Sequence, residues 1–239
     1  MSEGSARETH KPIALLDMDG VLVDNVSFDG AVTKFIVSAL AEQRALTLAS
    51  AKRAWERELA ESRTDCRWYD YDFHCQRLGL ANLASEAHAV LADRLRLVPG
   101  AGLTVDLLRR SHIEVVVATD AVPAVAEFKL RHLGLNADRV VSSQLLGATK
   151  ASSAYWARLR EELGDRPVLV LIENRLDNIL AARSELGRST LYVRFAFHEH
   201  VTRLPARVTA SEWSLDASND ILTVRTHATL RRGLERELS

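Results

Sequence analysis

Residues 13–24 read IALLDMDGVLVD, and both the fold and the chemistry predicted for this chain start from this stretch. Four apolar residues, Ile13 to Leu16, are followed at once by Asp17, Asp19 and Gly20. A short apolar run that ends in a polar turn is typical of a buried strand. Because open parallel sheets bind ligands at the carboxyl ends of their strands, the two aspartates are the first candidates for a functional site.

Downstream of Pro99 the sequence alternates between strand-like and helix-like segments. The predicted strands are 113–118, 139–142, 167–172 and 190–195, and the predicted helices are 102–111, 123–133, 151–163 and 176–186. Such alternation predicts an α/β fold with a doubly wound (Rossmann-like) parallel sheet. The last thirty residues are weakly patterned and suggest one more strand and a terminal helix.

Between about Phe28 and Leu97 the apolar residues follow helical spacing, with no strand-like stretch. Further helices are predicted at 48–62, 66–79 and 83–97, with Thr47 and Asn82 as N-caps. We therefore predict that residues 25–96 form an all-helical cap. This cap is inserted into a core made of residues 1–24 and 97–239.

The composition narrows the class of protein. The chain has 239 residues, of which 31 are Lys or Arg and 32 are Asp or Glu. This balance argues against a nucleic-acid or membrane-surface partner, which would favour a basic excess. No apolar run approaches the ~18–20 residues of a membrane span, and the first twelve residues lack the apolar region of a secretory signal. Cys66 and Cys75 lack metal-type spacing, so the sequence predicts a cytoplasmic protein with free thiols.

Four polar clusters fall at or near the predicted strand ends. They are Asp17 with Asp19, Thr119, Lys150 in the segment GATK, and Glu173 with Asn174. Together they supply carboxylates, a hydroxyl, an ammonium and an amide. This set suits phosphoryl transfer assisted by Mg²⁺, where positioning and charge neutralisation carry the catalysis.

The four clusters, in this order, resemble the haloacid dehalogenase superfamily. The resemblance is to its β-phosphoglucomutase-like phosphatases and mutases with a helical cap. It runs from about Ile13 to Phe195 and includes PGAGLTVDLLRR (99–110) and LRHLGL (130–135). It implies that Asp17 is the nucleophile and forms an aspartyl phosphate. It also implies that Asp19 is the acid and then the base, with its backbone carbonyl on Mg²⁺.

The resemblance assigns the remaining site residues as well. Thr119, Asp120 and Lys150 would bind the phosphoryl group, with Thr119 and Lys150 also catalytic. Asp17, Asp19, Glu173 and Asn174 would hold the metal. Asp19 argues against a dehalogenase, which needs no such proton donor.

Four positions depart from the family pattern. They are Asp120 for Asn, Ser or Gly, Ala151 for Pro, Asn174 for Asp, and Arg175 for Ser. An Asn oxygen can still ligate Mg²⁺ but lacks the carboxylate charge, so we expect weakened metal binding rather than none.

These inferences predict a Mg²⁺-dependent phosphatase that hydrolyses a small phosphorylated metabolite in the cytoplasm. One alternative is a sugar phosphomutase, which needs a second cationic phosphate site in the cap, for which Arg63 and Arg67 are candidates. Another is a non-catalytic binding or regulatory protein on a degenerate scaffold, which Asp120 and Asn174 would favour. The identity of the substrate and the oligomeric state are not predicted.

Two further features carry weaker signals. Trp68, Tyr69, Tyr71 and His74 cluster in the cap, where a core role is favoured over substrate contact. His198 and His200 alternate and lack a third ligand, so a solvated loop is favoured over a metal site.

Overall fold

A computed structural model describes residues 11–63, 65–197, 213–216 and 221–237. His198 and His200 lie outside these residues. The strands, in chain order, are β1 (Ile13–Leu16), β2 (Val23–Asp24), β3 (Arg96–Leu97), β4 (Glu114–Thr119), β5 (Arg139–Ser142), β6 (Val168–Glu173), β7 (Leu191–Phe195), β8 (Trp213–Asp216) and β9 (Ile221–Val224).

The helices follow the predicted alternation, with shifts of a few residues. They are α1 (Val26–Gln43), α2 (Leu48–Glu61), α3 (Tyr71–Arg77), α4 (Leu83–Val90), α5 (Ala101–Arg110), α6 (Pro123–His132), α7 (Ser143–Leu146), α8 (Ser153–Leu163), α9 (Leu176–Leu186) and α10 (His227–Glu237). The short helix α7 is an element that the sequence analysis did not predict. The terminal helix is confirmed as α10, but the last thirty residues contain two strands, β8 and β9, where one was predicted.

One seven-stranded sheet forms the core, with the strand order β5-β4-β1-β6-β7-β9-β8. All neighbouring strands pair in parallel except β8, which is antiparallel to β9. The predicted α/β doubly wound fold is confirmed. Because the chain leaves β1 towards β4 and β5 and later returns to its other side at β6, the strand order reverses beside β1. A ligand site is expected there.

The central strand is buried on both faces, which explains its uniformly apolar sequence. Ile13, Ala14, Leu15 and Leu16 are each 0% exposed. Ile13 and Leu15 pack in the cluster that contains Trp156 of α8, whereas Ala14 and Leu16 pack in the cluster on the opposite face. Alternate residues of β1 thus pack into two hydrophobic clusters. Asp17, the residue after the strand, lies at a rigid edge of the sheet.

The segment between β2 and β3 holds α1 to α4. These two short strands pair antiparallel, with Val23 opposite Leu97 and Asp24 opposite Arg96. The prediction that no strand lies between about Phe28 and Leu97 is therefore wrong at β3. The helix predicted at 83–97 ends at Val90 because the chain then makes a 3₁₀ turn and enters β3. The division into core and cap at residues 24/25 and 96/97 stays a prediction.

Capping residues explain where the predicted cap helices begin. Thr47 accepts the Ser50 N–H and caps α2 as predicted. The helix predicted at 66–79 begins only at Tyr71, because the Asp70 side chain accepts the Phe73 N–H. Asn82 precedes α4, but its φ is +63° and its side chain makes no capping bond.

The sequence predicts free thiols and no membrane-spanning segment, and the described residues bear on both predictions. Cys66 and Cys75 are both free thiols. Within the described ranges, every helix is too short or too polar to cross a membrane.

The terminal helix α10 is anchored next to the β1 loop by a buried histidine. His227 is 0% exposed, and its Nε2 donates to the Val21 carbonyl at 2.7 Å. Because Nε2 carries the proton, Nδ1 accepts from the Thr104 hydroxyl at 2.9 Å. Gly100, with φ +88°, leaves room for this ring, since a Cβ there would lie 3.0 Å from the His227 Cβ. Burial lowers the pKa of His227 to about 4.

We expect the protein to lose stability in mild acid because of His227. An imidazole whose pKa is lower in the folded state keeps its full contribution above its unfolded pKa of about 6.5 and loses it as the pH falls towards 4. The loss should be on the order of 3 kcal/mol. Urea unfolding between pH 7 and 4 measures it. His227→Gln, which keeps a donor for Val21, should flatten the dependence, and an unchanged slope would contradict the assignment.

Candidate active site

A tight turn after β1 places the two aspartates at the edge of the sheet. The Met18 carbonyl accepts the N–H groups of Leu22 and Val23 at 2.9 Å. Gly20 has a φ of +87°, which a residue with a side chain adopts only with strain. The turn therefore directs Asp17 and Asp19 to the point where the ends of β4 and β6 also lie.

The predicted site residues meet around one pocket of about 150 Å³. Among the residues that line it are Asp17, Asp19, Thr119, Asp120, Lys150, Glu173 and Asn174. The structure thus brings together all seven residues that the sequence predicts. A larger groove of about 600 Å³ lies elsewhere, along α1, and contains none of them.

Lys150 lies at the centre of the charged groups. It is 1% exposed, and its Nζ lies 2.5 Å from Asp17 Oδ1 and 2.6 Å from Glu173 Oε2. Nζ also donates to the Ala118 carbonyl at 2.9 Å. The ammonium is fully desolvated and held by two carboxylates and a carbonyl, so it neutralises charge at a fixed point.

The backbone of Lys150 is held in place by Asp120, one of the residues that depart from the family pattern. Asp120 Oδ1 accepts the Lys150 N–H at 3.0 Å. The buried Trp156 indole donates to the Lys150 carbonyl at 2.7 Å. The two bonds fix this loop although Ala151 stands where Pro is usual. One oxygen of the Asp120 carboxylate is therefore engaged by a backbone donor.

The buried charged side chains of the pocket shift one another's pKa values. Burial, and then the Glu173 carboxylate, raise the pKa of Asp17 well above its ordinary value, although Lys150 opposes them. Burial lowers the pKa of Lys150, but Asp17 and Glu173 outweigh it and raise that pKa well above the usual range. Lys150 therefore stays charged, and one ammonium faces two carboxylates.

Thr119 ends β4 with its hydroxyl oriented by the chain that follows. It is 1% exposed, and its Oγ1 accepts the Ala121 N–H at 3.1 Å. A hydroxyl has one proton to donate in addition to the bonds it accepts. That proton is available to an anion bound in the pocket.

The end of β6 differs from what the metal-ligand prediction implies. Glu173 Oε1 accepts the N–H groups of Asn174 at 3.0 Å and Arg175 at 3.1 Å, while Oε2 pairs with Lys150. Oε1 is thus occupied by two backbone donors, whereas Oε2 lies beside the ammonium but is buried without a hydrogen bond. Asn174 Nδ2 donates to the Asp19 carbonyl at 2.8 Å, which joins the two segments that are predicted to share a cation.

The remaining oxygen atoms still fit a hard cation. Among the described residues, no three His, Cys, Asp or Glu side chains form a metal-type cluster. The second Asp17 oxygen, the Asp19 carbonyl and the Asn174 amide oxygen, after a half-turn of that amide, are all oxygen ligands of the type that Mg²⁺ prefers. A cation held there would have one carboxylate from the protein, so we expect it to bind weakly.

We expect Asn174→Asp to lower the stability of the metal-free protein and to raise its affinity for Mg²⁺. The variant removes the bond to the Asp19 carbonyl and places a carboxylate against that oxygen, which should lower the free energy of unfolding by about 1–3 kcal/mol. Mg²⁺ should then stabilise the variant more than the wild type. Thermal unfolding with and without Mg²⁺ tests both effects, with the exposed Asn136→Asp as the matched control. An equal Mg²⁺ response in variant and wild type would mean that residue 174 does not face the metal.

Several pocket residues were missed or left undecided by the sequence analysis. Asn25, Arg175 and Asn178 line the pocket, as does Tyr69 from the predicted cap. Lys129 on α6 is 3% exposed and lies 2.9 Å from Asp19 Oδ1. The rarity of lysine in this chain was the one available signal for Lys129.

The aromatic cluster of the cap divides into two groups. Tyr71 and His74 pack edge-on against the buried Trp55 at 5.4 and 6.0 Å between ring centres. Tyr69 instead lines the active-site pocket, and burial together with the nearby Asp120 raises its pKa to about 12. Its phenol therefore stays protonated and can donate a hydrogen bond to a ligand.

We expect alanine at Tyr69 and at Tyr71 to have different effects. Tyr69→Ala should raise KM about tenfold, the equivalent of one lost hydrogen bond and contact, with little change in stability. Tyr71→Ala should lower the free energy of unfolding by on the order of 2–3 kcal/mol because it leaves Trp55 unpacked. Steady-state kinetics measure the change in KM, and urea unfolding measures the change in stability, for both variants. If Tyr69→Ala affects only unfolding, the substrate does not reach this side chain.

Known proteins resemble this chain in sequence and in fold. A sequence model of the haloacid dehalogenase-like hydrolases matches residues 12–184, well over half of the chain. No curated protein matches the chain.

Solved structures share the fold at low sequence identity. A HAD phosphatase from Thermococcus onnurineus is 19% identical with a TM-score of 0.72, over 93% of this chain and 97% of that one. A 2-haloacid dehalogenase from Pseudomonas syringae pv. tomato is 16% identical with a TM-score of 0.62, over 95% and 99%. A proposed β-phosphoglucomutase from Thermotoga maritima is 17% identical with a TM-score of 0.60, over 94% and 99%. At these identities the likeness establishes the shared fold alone.

Proposed function

From the premise that the chain belongs to the haloacid dehalogenase-like hydrolase family, we propose that it is a Mg²⁺-dependent phosphatase of small phosphate monoesters. The observation that carries the proposal is that Asp17 and Asp19 line one pocket together with Thr119 and Lys150. Cleavage of a carbon–halogen bond needs a nucleophile but no acid for its halide product. A second aspartate in the same pocket is therefore better explained by an alkoxide leaving group, which must be protonated.

In the first step, Asp17 attacks phosphorus and the bond to the ester oxygen breaks. The Asp19 carboxylic acid gives its proton to that oxygen, so the product leaves as an alcohol and Asp17 carries the phosphoryl group. Lys150, 2.5 Å from Asp17 Oδ1, and the Thr119 hydroxyl offset the charge of the phosphoryl oxygens.

In the second step, water attacks phosphorus and the bond to Asp17 breaks. Asp19, now a carboxylate, accepts the proton of that water, and inorganic phosphate leaves. Both aspartates then return to their starting ionisation states. Mg²⁺, when bound by Asp17, the Asp19 carbonyl and Asn174, supplies positive charge beside the phosphoryl oxygens.

The structure favours phosphatase over mutase chemistry. A mutase needs a cation in the cap for a second phosphate. Arg67 pairs with Asp65 at 2.7 Å and lies 4.3 Å from the centre of the Phe73 ring. Neither Arg67 nor Arg63 is among the described residues that line the pocket. The pocket of about 150 Å³ also favours a small substrate.

The proposed partner is a small phosphorylated metabolite in the cytoplasm, with no nucleic-acid or membrane partner. The test is a screen of phosphorylated metabolites and of 2-haloacids, with Mg²⁺ or EDTA, for released phosphate or halide. Mg²⁺-dependent release of phosphate supports the proposal. Halide release indicates a dehalogenase, and accumulation of a bisphosphate during turnover indicates a mutase. If beryllium fluoride with Mg²⁺ fails to form an aspartyl-phosphate analogue and no product appears, the protein is a non-catalytic member of the family.

A further inference from the structure

The carboxylate of Asp19 is held by a second buried lysine. Lys129 Nζ lies 2.9 Å from Asp19 Oδ1, 3.5 Å from Asp29 Oδ1 and 5.5 Å from the centre of the Phe28 ring. Of the five lysines, only Lys129 and Lys150 are buried, at 3% and 1% exposure. Each of them pairs with one aspartate of the segment DMD, so the two acids have separate cationic partners.

We propose that Lys129 is a positioning residue that fixes the Asp19 carboxyl group for proton transfer, a role that rests on the proposed phosphatase function. The Asp19 side chain is 25% exposed, so packing alone does not fix its rotation. Lys129 engages Oδ1 and leaves Oδ2 for the leaving-group oxygen or the attacking water. A displacement of about 1 Å in such a group costs on the order of 100-fold in rate.

The ammonium of Lys129 is itself held from two sides. Asp29, on α1, shares it with Asp19, and the Asn25 amide donates to Asp29 Oδ2 at 2.6 Å. Asn25 also lines the pocket. Burial lowers the pKa of Lys129, but Asp19 and Asp29 raise it to about 12, so the group stays charged. The contact therefore joins α6, the β1 turn and α1 at the general acid.

A purely structural lysine and a positioning lysine predict different kinetics. If Lys129 only fills space and balances charge, its removal slows all substrates alike and does so whatever residue occupies position 19. If it acts through Asp19, its removal slows the reaction only for substrates whose leaving group needs a proton, and only while Asp19 is present. A double-mutant cycle with leaving-group dependence separates the two cases.

The experiment compares Lys129→Met, Asp19→Asn and the double variant in single-turnover phosphorylation by phenyl phosphate and 4-nitrophenyl phosphate. Lys129→Met should lose about 100-fold with phenyl phosphate, whose leaving group needs a proton, and much less with 4-nitrophenyl phosphate. In the Asp19→Asn background it should cause no further loss. If the charge left at Asp29 prevents Lys129→Met from folding, the double variant Lys129→Met with Asp29→Asn removes that charge and takes its place. Lys52→Met, at an exposed lysine of α2, is the matched control.

Equal losses on both esters, or a loss that persists in the Asp19→Asn background, would overturn the positioning role while the phosphatase function stands. Additive effects of Lys129→Met and Asp19→Asn on the free energy of unfolding would show that the two side chains do not interact, and would overturn it as well. A wild-type protein that releases no phosphate from any ester would instead contradict the proposed function, and the positioning role with it.

Discussion

Asp17→Asn should abolish phosphate release and at the same time leave the protein as stable as the wild type or more stable. The activity falls by several orders of magnitude because a neutral amide does not attack phosphorus. The stability follows from charge: Lys150 faces the carboxylates of both Asp17 and Glu173, and the substitution leaves one ammonium with one carboxylate.

The direction of the stability change follows from the pKa of Asp17, which lies well above its ordinary value because of burial and Glu173. An acid whose pKa is higher in the folded state is destabilising when ionised, so at pH 7 Asp17 subtracts stability that Asn does not. The advantage of the variant should shrink as the pH falls and Asp17 is protonated. Urea unfolding at pH 7 and pH 4, in EDTA, measures this difference.

The matched control for Asp17→Asn is Asp106→Asn, at an exposed acid on α5. It should change neither phosphate release nor unfolding. If Asp17→Asn retains more than a tenth of the activity, another group is the nucleophile. If the variant is clearly less stable at pH 7, the ion pair with Lys150 outweighs the burial and repulsion that raise the pKa of Asp17.

The parallel sheet could be predicted because buried parallel strands leave a clear trace in sequence. IALL at 13–16 forms β1 with the predicted bounds, and RVVS at 139–142 forms β5 with the predicted bounds. The β1 run is apolar throughout because both faces of the sheet are covered there. The polar residues that follow such runs lie at one edge, which is why seven predicted site residues line one pocket.

The contacts within the site could not be predicted in the same way, since they depend on the distance between residues far apart in the chain. Lys129 and Asp19 are 110 positions apart, and Asp120 and Lys150 are 30 apart. Asp120 was predicted to bind the phosphoryl group, yet its carboxylate accepts the backbone N–H of Lys150. Likewise, nothing in the residue type indicated that Glu173 Oε1 would accept two backbone N–H groups.

The short elements of the predicted cap were missed for a local reason. Strand β3 has two residues and is formed by pairing with β2, so it has no periodic pattern of its own. The start of α3 depends on one side-chain bond, from Phe73 N–H to Asp70. Helical spacing continues across both boundaries, because periodicity records which face is buried and not where the backbone changes direction.

Lys150→Met should have the opposite effect on stability from Asp17→Asn while also removing activity. The substitution leaves the buried Asp17 and Glu173 carboxylates without their cation, and breaking a buried pair in this way costs about 3–5 kcal/mol. In a chain of this length that corresponds to a Tm lower by roughly 10 °C. Turnover should fall by at least about 10²–10³-fold because the charge that neutralises the phosphoryl oxygens is lost.

A second background keeps the Lys150 prediction testable if Lys150→Met folds poorly. In Asp17→Asn the same substitution leaves one buried carboxylate instead of two, so it should cost clearly less free energy of unfolding than in the wild type. Lys34→Met, at an exposed lysine of α1, is the matched control and should change neither Tm nor turnover. Urea unfolding of the four proteins in the cycle gives the coupling. Equal costs in both backgrounds would mean that Lys150 does not stabilise Asp17, and its effect on turnover would then need another explanation than charge neutralisation at the nucleophile.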